Sequence, residues 1–83
     1  MYSNLIAKAR NLVVEFHLRS NGQRLAGRVI EVDDVFVEVI VHRQEATGGF
    51  AATLAEFEAA EAGAAGWHED RVLINIIDIS IIA

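Results

Sequence analysis

Cysteine is absent from this chain of 83 residues, so neither a disulfide nor a thiolate metal site can hold it together. A reducing compartment is compatible with that absence. No apolar run is long enough to cross a bilayer, and the N-terminus has no charged segment followed by an apolar core and a cleavage site, so a cytoplasmic location is expected. Chemistry is scarce as well. No Ser stands in a nucleophile elbow, and no glycine-rich phosphate loop follows a strand. His17, His42 and His68 lack metal-type spacing, and Glu69-Asp70 beside His68 has no nucleophile to serve. An enzyme is not expected, and no cofactor or metal is implied. Cations are also missing from one long stretch, since residues 44 to 70 contain no Lys or Arg.

What is present is apolar. Hydrophobic residues make up 53% of the chain and the mean hydropathy is +0.31, high for a small soluble monomer whose surface must be mostly polar. A single domain over 1–83 buries a smaller fraction of its surface than a longer one, so association between subunits is the natural aid to stability. The charge is also unevenly placed. Residues 1 to 30 carry Lys8, Arg10, Arg19, Arg24 and Arg28 against Glu15, about +4, whereas residues 31 to 83 carry eleven acids against Arg43 and Arg71, about −9. Such asymmetry can separate a basic face from an acidic one, and a basic face is the minimum requirement for holding phosphates.

Along the chain, Ser3 can cap a helix in which Leu5, Ile6, Ala9, Leu12 and Val13 recur at helical spacing. Val14, Phe16 and Leu18 then alternate with Glu15, His17 and Arg19 up to Asn21-Gly22, a strong hairpin signal. Gly27 inside the second strand predicts a bulge or sharp bend of the kind small barrels use to close. Asp33-Asp34 reads as a turn, because an Asp carboxylate accepts backbone N–H bonds. A third strand over about 35–43 places Val35, Val37, Val39 and Val41 on one face and Phe36, Glu38, Ile40 and His42 on the other. Glu38 is placed to meet Arg71 or Arg43, from a neighbouring subunit or on the surface.

Residues 44 to 66 form a variable insertion. Thr53 and Glu56 have capping-box spacing, Phe50, Leu54 and Phe57 share a helical face for docking, and the helix ends near Gly63. Trp67 is expected to pack at a strand start. The end of the chain, rich in Ile and Val, predicts two strands split between Asn75 and Asp78. The resulting fold class is mainly β: a small, five-stranded, strongly bent antiparallel barrel of SH3-like form, with an N-terminal α-helix and a short helix inserted between strands 3 and 4.

This order resembles the Sm-like family, including LSm and Hfq-type RNA chaperones. Gly22, Gly27, Asp33 and Phe36 carry the spacing of the first Sm motif, and "VLINIIDISII" carries the hydrophobic frame of the second. Val37 stands where the family usually has an RNA-pocket Asn, and Asn75-Ile76 where it has Arg-Gly. The resemblance implies a homo-oligomeric ring, with the last strand of one subunit paired to the fourth strand of the next, and Asp33, Phe36, Val37 and Asn75 at pore-side positions. Val72, Ile74, Ile77, Ile79 and Ile81 are then the expected oligomer interface. RNA, if held, would lie on a basic surface built from Lys8, Arg10, Arg19, Arg24 and Arg28; the alternative is a ring-shaped structural or protein-interaction scaffold without RNA.

Overall fold

The computed structural model describes residues 7–82, with side chains through Ser80. Five strands run in the order β1 (Val13–Leu18), β2 (Arg24–Val32), β3 (Phe36–Gln44), β4 (Trp67–Asn75) and β5 (Ile79–Ile82), with one helix, α1 (Leu54–Glu61), between β3 and β4. They form one antiparallel sheet in the spatial order β4-β3-β2-β1-β5.

The alternation of apolar residues decides which face is buried. Val37, Val39 and Val41 are fully buried, and they pack with Phe16, Leu25, Val29, Ile74, Ile76 and Ile79 into the main core. Register agrees with that pattern, since Val39 lies opposite Val29 on one side and Val72 on the other. Val35 departs from the expected face and is exposed. The turn before β3 captures it: the Asp33 carboxylate accepts from the Val35 N–H at 2.7 Å, and the Val35 carbonyl accepts from the Ile76 N–H at 2.8 Å.

The expected N-terminal helix lies mostly outside the described residues. Of its described part, Ala7 and Lys8 are helical, but Leu12 lies in the turn that follows and Val13 opens β1. Sheet hydrogen bonds take over there. The Asn11 N–H donates to Val29 O at 2.7 Å, the Val29 N–H donates to Leu12 O at 3.0 Å, and Asn11 adopts a left-handed φ of 70° that ends helical geometry. The Asn21-Gly22 hairpin forms with a longer loop than the tight two-residue turn, because β1 ends at Leu18 and β2 starts at Arg24.

Gly27 carries no bulge in the β1–β2 ladder, where Val14 faces it in regular register; the irregularity falls between Val29 and Glu31 in the β2–β3 ladder. The glycine answers a close approach of β3 instead. A Cβ at Gly27 would lie 3.1 Å from Val39 Cβ and 3.2 Å from the Ile40 carbonyl oxygen. Gly27→Ala is therefore expected to destabilise the chain by about 1–3 kcal/mol. A lowered urea midpoint checks this, and an unchanged midpoint would mean that β2 and β3 separate at no cost.

The inserted helix follows its sequence signals closely. The Thr53 hydroxyl accepts from the Glu56 N–H at 3.2 Å, and the Glu56 carboxylate reaches back to the Ala52 N–H at 3.2 Å. At the other end the Ala64 N–H donates to Ala59 O and the Gly63 N–H to Ala60 O, both at 3.1 Å, with Gly63 at φ 98°, a Schellman termination. The docking face differs from the expected one. Phe57 and Ala60 point inward, with Phe57 packed on Ala26 and Ala51, while Leu54 is exposed. Leu54 sits at the first turn, where its N–H is anchored by the Glu15 carboxylate at 3.0 Å.

The sheet does not close into the expected barrel among the described residues. β4 and β5 are the outer strands of the sheet, β5 pairs with β1, and no ladder joins β4 to β5 among the described residues. Phe16 faces Ile82 and His17 faces Ile81, so hydrogen bonding to β1 takes up one side of β5.

Candidate functional site

The two sheet edges are unlike each other. After Trp67, β4 carries charged and polar residues, His68, Glu69, Asp70 and Arg71, all exposed, and it turns apolar from Val72. Charges along an outer strand discourage indiscriminate pairing. Near its end lie the most exposed large apolar side chains, Leu73 at 65% and Ile77 at 81%, with Val35 and Phe36 also exposed. Ile77 sits on the 3₁₀ turn Ile76–Asp78 that joins β4 to β5. Of the other residues expected at an oligomer interface, the Ile74 and Ile79 side chains belong to the main core and Val72 packs against it. Ile81 pairs its backbone with His17, and its side chain lies outside the described ones.

The connection before β5 is held by a local clamp. The Asp78 carboxylate accepts from the Ser20 N–H at 2.7 Å and from the Ser20 hydroxyl at 2.9 Å, while the Asp78 carbonyl accepts from the Arg19 N–H at 2.7 Å. The β1–β2 loop and the start of β5 are thereby joined.

The motif positions have local structural tasks. Asp33 accepts from the Phe36 N–H at 2.6 Å as well as from Val35, and these two bonds, Phe36 first, hold its carboxyl below the ordinary 3.8. Asn75 lies opposite Phe36, and its side-chain oxygen accepts from the Ile77 N–H at 3.1 Å, capping the 3₁₀ turn. Val37 is fully buried in the core and Phe36 is partly open to solvent. Because the folded value of Asp33 is depressed, its charge stabilises the turn fully above the ordinary value, and that contribution is lost as pH falls through the folded value. Asp33→Asn keeps an acceptor and removes the charge. It is expected to be less stable than the parent at neutral pH, with the gap narrowing on acidification in thermal melts; a gap independent of pH would contradict this.

The basic residues do not gather into one patch. Arg10 lies 3.7 Å from Glu31, and Arg24 lies 3.8 Å from Glu15. Arg28 donates from Nη2 to both carboxylate oxygens of Glu61 at 2.8 Å and from Nη1 to Asn11 O at 2.8 Å. Lys8 and Arg19 are exposed and form no ion pair among the described residues. Glu38 meets Arg71 of its own chain at 3.6 Å, whereas Arg43 meets Asp70 at 3.5 Å. Three of the five expected RNA contacts therefore already face a carboxylate, which lowers the positive potential they offer.

Sequence reasoning passed over two residues. Glu31 and Leu73 flank Glu38 in the ladders on either side and, with Val32, Asp33 and Phe36, line an open cleft. The signal for Leu73 was available in the alternation of β4, since Leu73 shares a face with Arg71 and Asn75 while Val72 and Ile74 pack inward. Elsewhere His42 is buried edge-on against Phe57 at 4.7 Å, and its Nε2 has no hydrogen-bond partner among the described residues. Trp67 packs against the Phe57 cluster, as expected of a strand start.

Among the described residues no group of three or more His, Cys, Asp or Glu could hold a metal ion, and no helix is long and apolar enough to cross a membrane. The chain matches no protein-family model, no curated protein and no solved structure.

Proposed function

We propose that the protein is an Sm-like, self-assembling β module, a binding scaffold whose subunits join head-to-tail through β4 of one copy and β5 of the next to close a ring. The observation that carries this reading is the strand order, which leaves β4 and β5 as the two outer strands with exposed Ile77 between them. Unpaired N–H and C=O groups on such edges template another strand, and a contact between two different edges closes only by rotation into a ring.

A strongly bent, half-open barrel is part of the proposal. β4 and β5 occupy opposite ends of the sheet, yet only Ile76–Asp78 join them. A flat sheet would separate its outer strands by about 19 Å at ~4.8 Å per neighbour. A 3₁₀ turn of that length advances only about 6 Å. Curling brings the two ends within that reach.

The scaffold reading is favoured over RNA binding because Arg10, Arg24 and Arg28 already face Glu31, Glu15 and Glu61. Lys8 and Arg19, exposed and without an ion pair among the described residues, are what favours the second reading. Two measurements separate them. Light scattering on a sizing column should give a particle of several subunits. Anisotropy with labelled single-stranded RNA at two salt concentrations should show weak, strongly salt-dependent binding without base preference. Tight binding that Lys8→Glu with Arg19→Glu abolishes would establish the RNA reading instead.

A further inference from the structure

The inserted helix covers only part of the outer face of the sheet. α1 packs through Phe57 against Ala26 and His42. Farther along the same strands, Glu31 lies opposite Glu38, and Leu73 lies opposite Glu38 on its other side. Together with Val32, Asp33 and Phe36 these residues line an open cleft of about 220 Å³.

Its lining narrows what it can take. Phe36 and Leu73 supply an exposed apolar wall suited to an alkyl chain. Glu31, Asp33 and Glu38 supply three carboxylates, and among the described residues no cation lines the cleft. The chain's own arginines touch only its rim: Arg10 meets Glu31 at 3.7 Å and Arg71 meets Glu38 at 3.6 Å, and both guanidinium side chains remain about half exposed or more, at 49% and 62%. Contacts that long are weaker than charge-assisted hydrogen bonds, so the carboxylates keep capacity for a closer donor. An anion would be repelled. A neutral alkyl ligand would strip water from the carboxylates without replacing it. A long alkyl stem ending in a cation satisfies both walls, which is the build of an arginine or lysine side chain.

We infer that this cleft docks a basic segment of a partner protein, with an arginine or lysine laying its stem on Phe36 and Leu73 and presenting its cation to Glu31, Asp33 and Glu38. The cleft lies within one chain, so the inference goes beyond the assembly reading and does not rest on it.

The test is anisotropy of a labelled peptide of alternating arginine and leucine titrated with the full chain. Saturable binding of one peptide per chain is expected. Glu31→Gln with Glu38→Gln should weaken it about tenfold or more, since each lost contact is charge-assisted. Leu73→Ser should weaken it severalfold, and this exposed position tolerates the change. Glu58→Gln with Glu69→Gln removes as much charge elsewhere and should leave affinity unchanged. Equal loss in the two double variants would reduce the effect to net charge and overturn the inference. Absence of binding would overturn it too, as would displacement of the peptide by oligouridylate, which would mark a nucleic-acid surface. Amide shifts in the parent chain on adding peptide give a reading that needs no variant; they should centre on Glu31, Glu38 and Leu73, and shifts centred elsewhere would refute the site.

Discussion

Ile77→Lys is expected to dissolve the proposed assembly while leaving the single chain folded. The two effects separate because Ile77 is 81% exposed in the chain, so a lysine there loses almost no intrachain packing. At a junction the same change removes about 1.5–3 kcal/mol of apolar burial and places an ammonium where water is excluded. Each ~1.4 kcal/mol is a tenfold change in affinity, so each junction should weaken by at least about tenfold, and a ring carries the change at every junction. The sizing column should show the shift to monomer, with circular dichroism and melting temperature close to the parent's. Ile79→Lys is the contrasting variant. Ile79 is fully buried, so this change should unfold the chain itself. An Ile77→Lys protein that assembles like the parent would move the junction away from the β4–β5 turn.

Phe57→Ala should carry the largest stability cost among the truncations of the smaller core, about 3–5 kcal/mol. A chain of this length has about 4–12 kcal/mol in total, so the loss is a large fraction of it. Phe57 is fully buried against Ala26 and Ala51, touches the edge of His42, and has the Arg28 guanidinium 5.9 Å from its ring centroid. Truncation leaves α1 attached to the sheet by the small buried Ala60, the Arg28–Glu61 pair and the Glu15 bond to the Leu54 N–H. Eight residues do not sustain a helix in isolation. Amide exchange at 54–61 should therefore rise far more than in β2 and β3. Protection lost equally in helix and sheet would show that the insertion belongs to a single cooperative unit.

Local chemistry made much of this fold legible in the sequence. Thr53, Glu56 and Gly63 mark the two ends of α1 because caps use only neighbouring backbone, and Asp33 marks its turn for the same reason. The valines of β3 reveal their buried face through period-two alternation. What could not be read depends on distant partners. Leu12 and Val13 have helical spacing, yet the hydrogen bonds joining Asn11 and Leu12 to Val29 draw the chain into the sheet, and that pairing leaves no local mark. Gly27 looks like a bulge residue, but its reason is the proximity of Val39. At the candidate site, the five cations could be read directly, whereas the pairing of Arg10, Arg24 and Arg28 with Glu31, Glu15 and Glu61 is a property of the folded sheet. The same applies to the cleft, because Glu31, Glu38 and Leu73 come from three different strands.

Head-to-tail pairing of β4 with β5 can be tested with one pair of reporters, because the native chain has no cysteine to interfere. Arg71→Cys places a thiol on exposed β4, and Ile77→Cys places one beside the start of β5. A short bismaleimide linker added to an equimolar mixture of the two single variants should yield the mixed dimer, each variant alone should yield little, and the double variant should form a ladder ending at the subunit number of the closed ring. Efficient linking of Arg71→Cys to itself would reveal a two-fold contact between like edges, and no intermolecular linking in any combination would contradict the assembly altogether.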